Sequence, residues 1–153
     1  MRILVDADAC PVKQIIEEVA GEFEIELLFV VNPHHHIESR HGSIVLVDGG
    51  SQAVDLALAN MAGSGDIVVT QDYGLASMII ARRGMAIHPD GWLYRPERID
   101  ALLMQRHLNA KARKAGFRTA HARRRAAKDN EYFRNKLRRL IEAHVSGQNL
   151  FDE

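Results

Sequence analysis

The chain has 153 residues, 46% of them hydrophobic, and 20 Lys and Arg balance 20 Asp and Glu to a formal net charge of zero; that is enough for one well-buried core and too little for two. No run of about 18 apolar residues offers a membrane span, and the opening residues form a strand pattern rather than a basic-then-apolar leader, so a cytoplasmic protein with no membrane association is expected. The single cysteine, Cys10, excludes an internal disulfide and fits a reducing compartment.

The two ends differ in sign. Residues 1–105 carry seven basic and fifteen acidic side chains, whereas Arg106 to Arg139 holds thirteen of the twenty Lys and Arg with only Asp129 and Glu131 as acids. An acidic body followed by a basic arm suggests an anionic polymer as partner; a solvated helical surface is the plainer reading of the same charges.

The apolar run Arg2-Ile3-Leu4-Val5 stops at Asp6-Ala7-Asp8, and Pro11 follows, which reads as a buried strand delivering acids to a strand-to-helix turn. If strand geometry persists to Asp8, the period of two turns both carboxylates to one face, where they repel unless a cation or a shared proton lies between them. Val12 to Gly21 places Val12, Ile15, Ile16 and Val19 at helical spacing. Glu24 to Val31 reads as a second strand ending at Asn32-Pro33, and a loop runs through His41.

Ile44 to Asp48 repeats the apolar run tipped by an acid, and Gly49-Gly50-Ser51 leads into a helix from Gln52 to Met61 with Asp55 near its start. Asp66 to Thr70 is a fourth strand with Gln71-Asp72 at its carboxyl end, Leu75 to Arg83 a helix ended by Gly84, and Met85 to His88 a fifth strand. This alternation with nearly all-apolar strands predicts an α/β fold whose mostly parallel sheet of about five strands is covered on both faces, with its site at the carboxyl ends of the strands. Beyond Trp92, Ile99 to Leu108 reads as helix, Asn109 to Ala127 as a basic, apolar-poor stretch, and Asp129 to about Val145 as a last helix with Tyr132 or Phe133, Leu137, Leu140 and Ile141 on its apolar face. The expected organisation is one domain over residues 1–153, with 109–153 a basic helical C-terminal extension.

Asp6, Asp8, Asp48, Asp55 and Asp72 all fall at strand ends or on the following turn. Carboxylate oxygens suit hard ions, and Mg²⁺ or Mn²⁺ held by few acids keeps waters that serve phosphodiester hydrolysis; taken singly, each acid could equally cap a helix or fill a turn. Asp66 precedes its strand and reads as a turn residue at the opposite edge. His34-His35-His36 reads as a polar loop over the site, His41, His88, His107, His121 and His144 as surface or core histidines, and Cys10 as a structural thiol. Lys13, Arg118, Arg123, Arg124, Arg125 and Lys128 are the candidates for phosphate contacts. Phe117, Tyr132 and Phe133 could stack on bases, with a core role more natural for the last two. Met78, Ile79 and Met104 read as core.

Val5-Asp6-Ala7-Asp8-Ala9-Cys10-Pro11-Val12-Lys13, then Asn32 with His35-His36-Ile37, then Gly65-Asp66-Ile67-Val68-Val69-Thr70-Gln71-Asp72 resemble the YaiI/YqxD family of uncharacterised bacterial proteins. That family is similar to PIN domains, a metal-dependent ribonuclease fold, and the resemblance implies a PIN-like three-layer sandwich with a pocket of acids. By position Asp6 matches the first PIN acid, Ala53-Val54-Asp55-Leu56-Ala57-Leu58-Ala59 the acid-bearing helix start, and Thr70-Gln71-Asp72 the Thr-x-Asp strand end. The intermediate glutamate of the pattern has no counterpart, leaving Asp8 or Asp48 to substitute. Where the family shows a Thr-Lys-Gly-Pro type segment after an Arg, this chain has Arg118-Thr119-Ala120-His121.

The expectation is therefore a ribonuclease that uses Asp6, Asp8, Asp55 and Asp72 with Mg²⁺ or Mn²⁺ on single-stranded RNA. One rival is a haloacid-dehalogenase-like phosphatase with Asp6 as nucleophile. The other is a non-catalytic RNA- or protein-binding module.

Overall fold

A computed structural model describes residues 1–118 and 123–148. Its elements run β1 (Arg2–Asp6), α1 (Lys13–Glu22), β2 (Glu26–Val31), β3 (Ser43–Leu46), α2 (Ser51–Met61), β4 (Ile67–Val69), α3 (Tyr73–Ala81), β5 (Met85–Ile87), α4 (Pro96–Lys114) and α5 (Ala127–Val145). The five strands form one sheet in the order β3-β2-β1-β4-β5, and every neighbouring pair is parallel.

The near-continuous apolar strands have a simple cause: both faces of the sheet are covered. Along β1, Ile3 and Val5 join one core with Leu27, Phe29, Val31, Ile67, Val69 and Ile87, closed by α1 and α5. Leu4 points the other way and joins Leu28, Val30, Val68 and Ala86 beneath α2, α3 and Tyr94. The period of two thus sorts each strand between two cores of a three-layer sandwich.

The chain steps from β1 to β2 through α1 and from β2 to β3 through a loop, then returns across the opposite face through α2 to β4 and α3 to β5. Only one crossover helix therefore covers the α1 face. The C-terminal helix fills the rest, burying Phe133, Leu137, Leu140 and Ile141, with Arg134 paired to Glu18 (2.6 Å) and Arg138 to Glu22 (3.0 Å) on α1. Of the two aromatics weighed for this position, Phe133 is buried and Tyr132 half exposed.

Three expectations are corrected. Helix α4 runs from Pro96 to Lys114, longer at both ends than the helix expected over Ile99 to Leu108; its last turns consist of good helix formers and bury nothing, which conceals its end from an apolar-periodicity reading. Met78 and Met104 are exposed, although Ile79 is core. Strand β1 ends at Asp6, and after Ala7 N–H donates to Val30 O (3.1 Å) the chain turns, so Asp6 and Asp8 do not share a strand face. Among the described residues no helix is long and apolar enough to cross a membrane.

Candidate active site

The strand order reverses between β1 and β4, and in an open parallel sheet the crevice outside the carboxyl ends at such a point is where ligands bind. Asp6 closes β1 there, and Thr70 and Asp72 follow β4. The Thr70 hydroxyl donates to Asp6 Oδ2 (3.1 Å) and accepts the Asp72 N–H (3.0 Å). Asp72 is the N-cap of α3, its Oδ1 accepting Leu75 N–H (2.8 Å). Beneath them the Tyr94 hydroxyl donates to Thr70 O (3.0 Å), and the Gln71 side-chain amide donates to Ala9 O (3.1 Å). Two strand ends are thereby tied into one rigid edge.

The electrostatics place Asp55 in the same group. Its carboxyl is pushed up to about 6, by burial first and then by Asp72 and Asp6, against the opposing pull of Arg106. Burial also raises Asp6 above the usual carboxylate range; the Thr70 hydroxyl draws it back, and Asp8 and Asp72 add to the rise. The charge on Asp72 at the head of α3 thus acts against ionisation of both Asp6 on β1 and Asp55 on α2, and Asp6 against that of Asp55. Arg106 on α4 brings a countercharge, with Nη1 3.8 Å from Asp72 Oδ2. A cleft of about 470 Å³ opens here, lined by Asp6, Asp72, Tyr73, His88, Arg106 and Arg113 among others.

Asp8 faces the other way, where its Oδ1 accepts Asn32 N–H (3.2 Å) and meets His35 Nδ1 (3.0 Å). The histidine triplet is a polar loop in which His36 pairs with Glu38 (3.3 Å) and His34 N–H with the Asn32 side chain (3.0 Å). Asp48 is exposed and accepts the N–H of Gly49 (2.8 Å); it follows β3, two strands from β1, which at the usual strand spacing is about 10 Å from Asp6. Asp66 sits at the opposite edge, and there it is more than a turn residue. It is buried and binds Arg2 through the backbone N–H (2.9 Å) and the guanidinium (2.7 Å).

The candidate phosphate contacts are distributed unevenly. Lys13 donates to Ala7 O (3.3 Å) and Cys10 O (3.1 Å), bracing the turn after β1. Arg123 pairs with Asp129 (2.6 Å). Arg125 holds Asp90 (3.1 Å), Asn130 (2.6 Å) and Pro89 O (2.8 Å). Arg118, Arg124 and Lys128 are exposed, whereas Thr119 to His121 lie outside the described residues. Cys10 is buried, and burial pushes its thiol up to about 11, which suits the structural role expected of it.

His88, Arg106 and Arg113 escape a reading of the sequence. No motif marks them; the only signal is that α4 continues past Leu108 and carries cations on the face that meets the strand ends.

The family model described as Uncharacterized BCR, YaiI/YqxD family matches residues 4–143. The chain belongs to the YaiI/YqxD family. Its relatives include the UPF0178 protein of Natranaerobius thermophilus, 41% identical over 141 residues, covering 92% of this chain and 96% of the relative. That of Clostridium novyi is 43% identical over 141 residues, covering 92% and 95%, and that of Ruminiclostridium cellulolyticum 40% identical over 147 residues, covering 96% of each. No solved structure gives a significant match. The YaiI/YqxD match spans both the acid-tipped strands and the C-terminal helix packed on α1.

Proposed function

We propose that this YaiI/YqxD protein is a divalent-metal-dependent ribonuclease whose site is the acid edge at the β1–β4 boundary. The observation that carries the reading is that Asp6 and Asp72, far apart in sequence, line one cleft, and that both are close enough to Asp55 to raise its proton affinity. The resemblance to PIN domains points to the same three residues.

The donor set consists of oxygen ligands, which suits Mg²⁺ or Mn²⁺ rather than a soft metal. Among the described residues no group of three His, Cys, Asp or Glu side chains is gathered to enclose an ion. The fit is therefore to an ion that keeps most of its water and is held by one or two carboxylates, Asp6 and Asp55 with Asp72 beside them; Asp8 stands behind Asp6 on the Asn32 side. When bound, such an ion supplies a Lewis acid for a phosphoryl oxygen and an acidified water.

The chain's own groups do the rest. Thr70 fixes the rotation of the Asp6 carboxylate, the α3 cap fixes Asp72, and Arg106 offers positive charge to a phosphate entering from the solvent side. A phosphatase using Asp6 as nucleophile and Asp8 as acid gains little here, because the Asp8 carboxylate is engaged by Asn32 and His35. Purified protein with Mn²⁺ is expected to cleave single-stranded RNA, and Asp6→Asn to reduce the rate by roughly 100-fold or more. Equal cleavage by the variant would remove the proposal.

A further inference from the structure

The phosphate contacts expected in the arm lie at Arg118 and beyond, yet of these Arg123 is engaged by Asp129 and Arg125 by Asp90, Asn130 and Pro89 O. The cations that face the acid cleft come from α4. Leu102, Gln105, Arg106, Asn109 and Arg113 line it, at spacings of three, one, three and four residues, which is one face of a helix. On the same face Gln105 Nε2 donates to Asn109 Oδ1 (3.0 Å). Arg113 lies seven positions after Arg106, a rise of about 10 Å along the axis, so the pair addresses an extended polyanion rather than one isolated phosphate.

The cleft lining also includes Tyr73 and His88, which belong to an aromatic group. His88 stacks on Trp92 with centroids 4.5 Å apart and planes 8° from parallel. Tyr73 leans on Trp92 at 6.3 Å and meets Tyr94 edge-on at 5.7 Å. Asp90 N–H donates to His88 Nδ1 (3.0 Å), which leaves the ring's proton on Nε2 in the neutral tautomer. Burial holds this histidine below its ordinary pKa, with Asp90 opposing and Arg125 assisting. Of this aromatic group, His88 and Tyr73 line the cleft, whereas Trp92 and Tyr94 support them from behind.

We infer that α4 is the nucleic-acid clamp of this site, with Arg106 and Arg113 holding consecutive stretches of the backbone while an unpaired base rests on the shelf made by Tyr73 and His88. The inference rests on the ribonuclease reading for the location of the scissile bond but concerns binding alone. The two arginines on one wall of the cleft, together with aromatic side chains in its lining, are the cation and stacking groups with which proteins hold single strands without reading sequence.

The test is equilibrium binding of a fluorescently labelled single-stranded RNA oligonucleotide in EDTA, where no metal-dependent cleavage takes place. Arg106→Gln with Arg113→Gln is expected to weaken binding at least tenfold and to make the log–log salt dependence shallower by about 1.4, roughly 0.7 for each arginine neutralised. Arg106→Lys with Arg113→Lys should restore most of that slope. His88→Ala with Tyr73→Leu should cost about tenfold with little change in slope, and His88→Phe should bind nearly as wild type. Arg82→Gln, at the far end of α3, should have no effect. Wild-type affinity in the α4 double Gln variant, weakening confined to Arg124→Gln with Lys128→Gln, or no binding by the wild type would each overturn the clamp. Tight binding with no cleavage in any metal would sink the ribonuclease reading and leave the clamp standing.

Discussion

Thr70 makes two hydrogen bonds at the acid edge, one to the Asp6 carboxylate and one from the Asp72 N–H. Thr70→Val keeps the shape and removes both. The expected results are a destabilisation of about 1–2 kcal/mol in denaturant unfolding and a metal-dependent cleavage rate lower by about 10- to 100-fold, with Thr70→Ser recovering both. Cys10, with its thiol pushed up to about 11 by burial, should react with iodoacetamide at pH 8 on the order of 100-fold more slowly than a free thiol; mass spectrometry of the native protein checks this. At this scale the strand-end acids were legible because an apolar run ending in a carboxylate is a local pattern. His88 and Arg106 were not, since a stacked Trp92 and a neighbouring Asp72 are brought to them only by the fold.

Among the elements, β1 and β4 are held at their amino ends by Asp66. Burial acts to raise its carboxyl, but the Arg2 guanidinium with the Gly63 and Arg2 N–H groups outweighs it and leaves the pKa below the usual value. A depressed folded pKa means that the stabilisation is complete above the unfolded pKa and is lost as pH falls through the folded one. Asp66→Asn should therefore cost about 2–3 kcal/mol near neutrality, and this cost should shrink below about pH 4. Urea midpoints measured from pH 3 to 7 would show it. Gly91, at φ +93° with space for a Cβ blocked by Tyr132 and Phe133, fastens the turn after β5 onto α5, and Gly91→Ala should destabilise by about 2 kcal/mol or more. The strands were readable from apolar runs, and α5 from Phe133, Leu137, Leu140 and Ile141 at helical spacing. The end of α4 was hidden, because polar residues that bury nothing give no period to read.

Over the whole molecule, the uneven charge resolves into a layered arrangement. The acidic first two thirds builds the sheet and the acid edge, and much of the basic remainder is structural: α5 covers the open half of one face and pairs its arginines with acids of α1. Removing residues 127–153 would strip away the buried side chains Phe133, Leu137, Leu140 and Ile141, worth about 1.5–3 kcal/mol each and together comparable to the stability of a whole domain, so the truncated chain should show no cooperative thermal transition by circular dichroism. What sequence composition presented as a basic extension is, for α5, part of a third layer. That the carboxylates of Asp6 and Asp55 hold one doubly charged ion, with Asp72 beside them, is the claim on which the proposed function most directly depends. Titration with Mn²⁺ followed by electron paramagnetic resonance should show binding to the wild-type protein that weakens at least tenfold in both Asp6→Asn and Asp55→Asn, whereas unchanged Mn²⁺ affinity in both variants would contradict it.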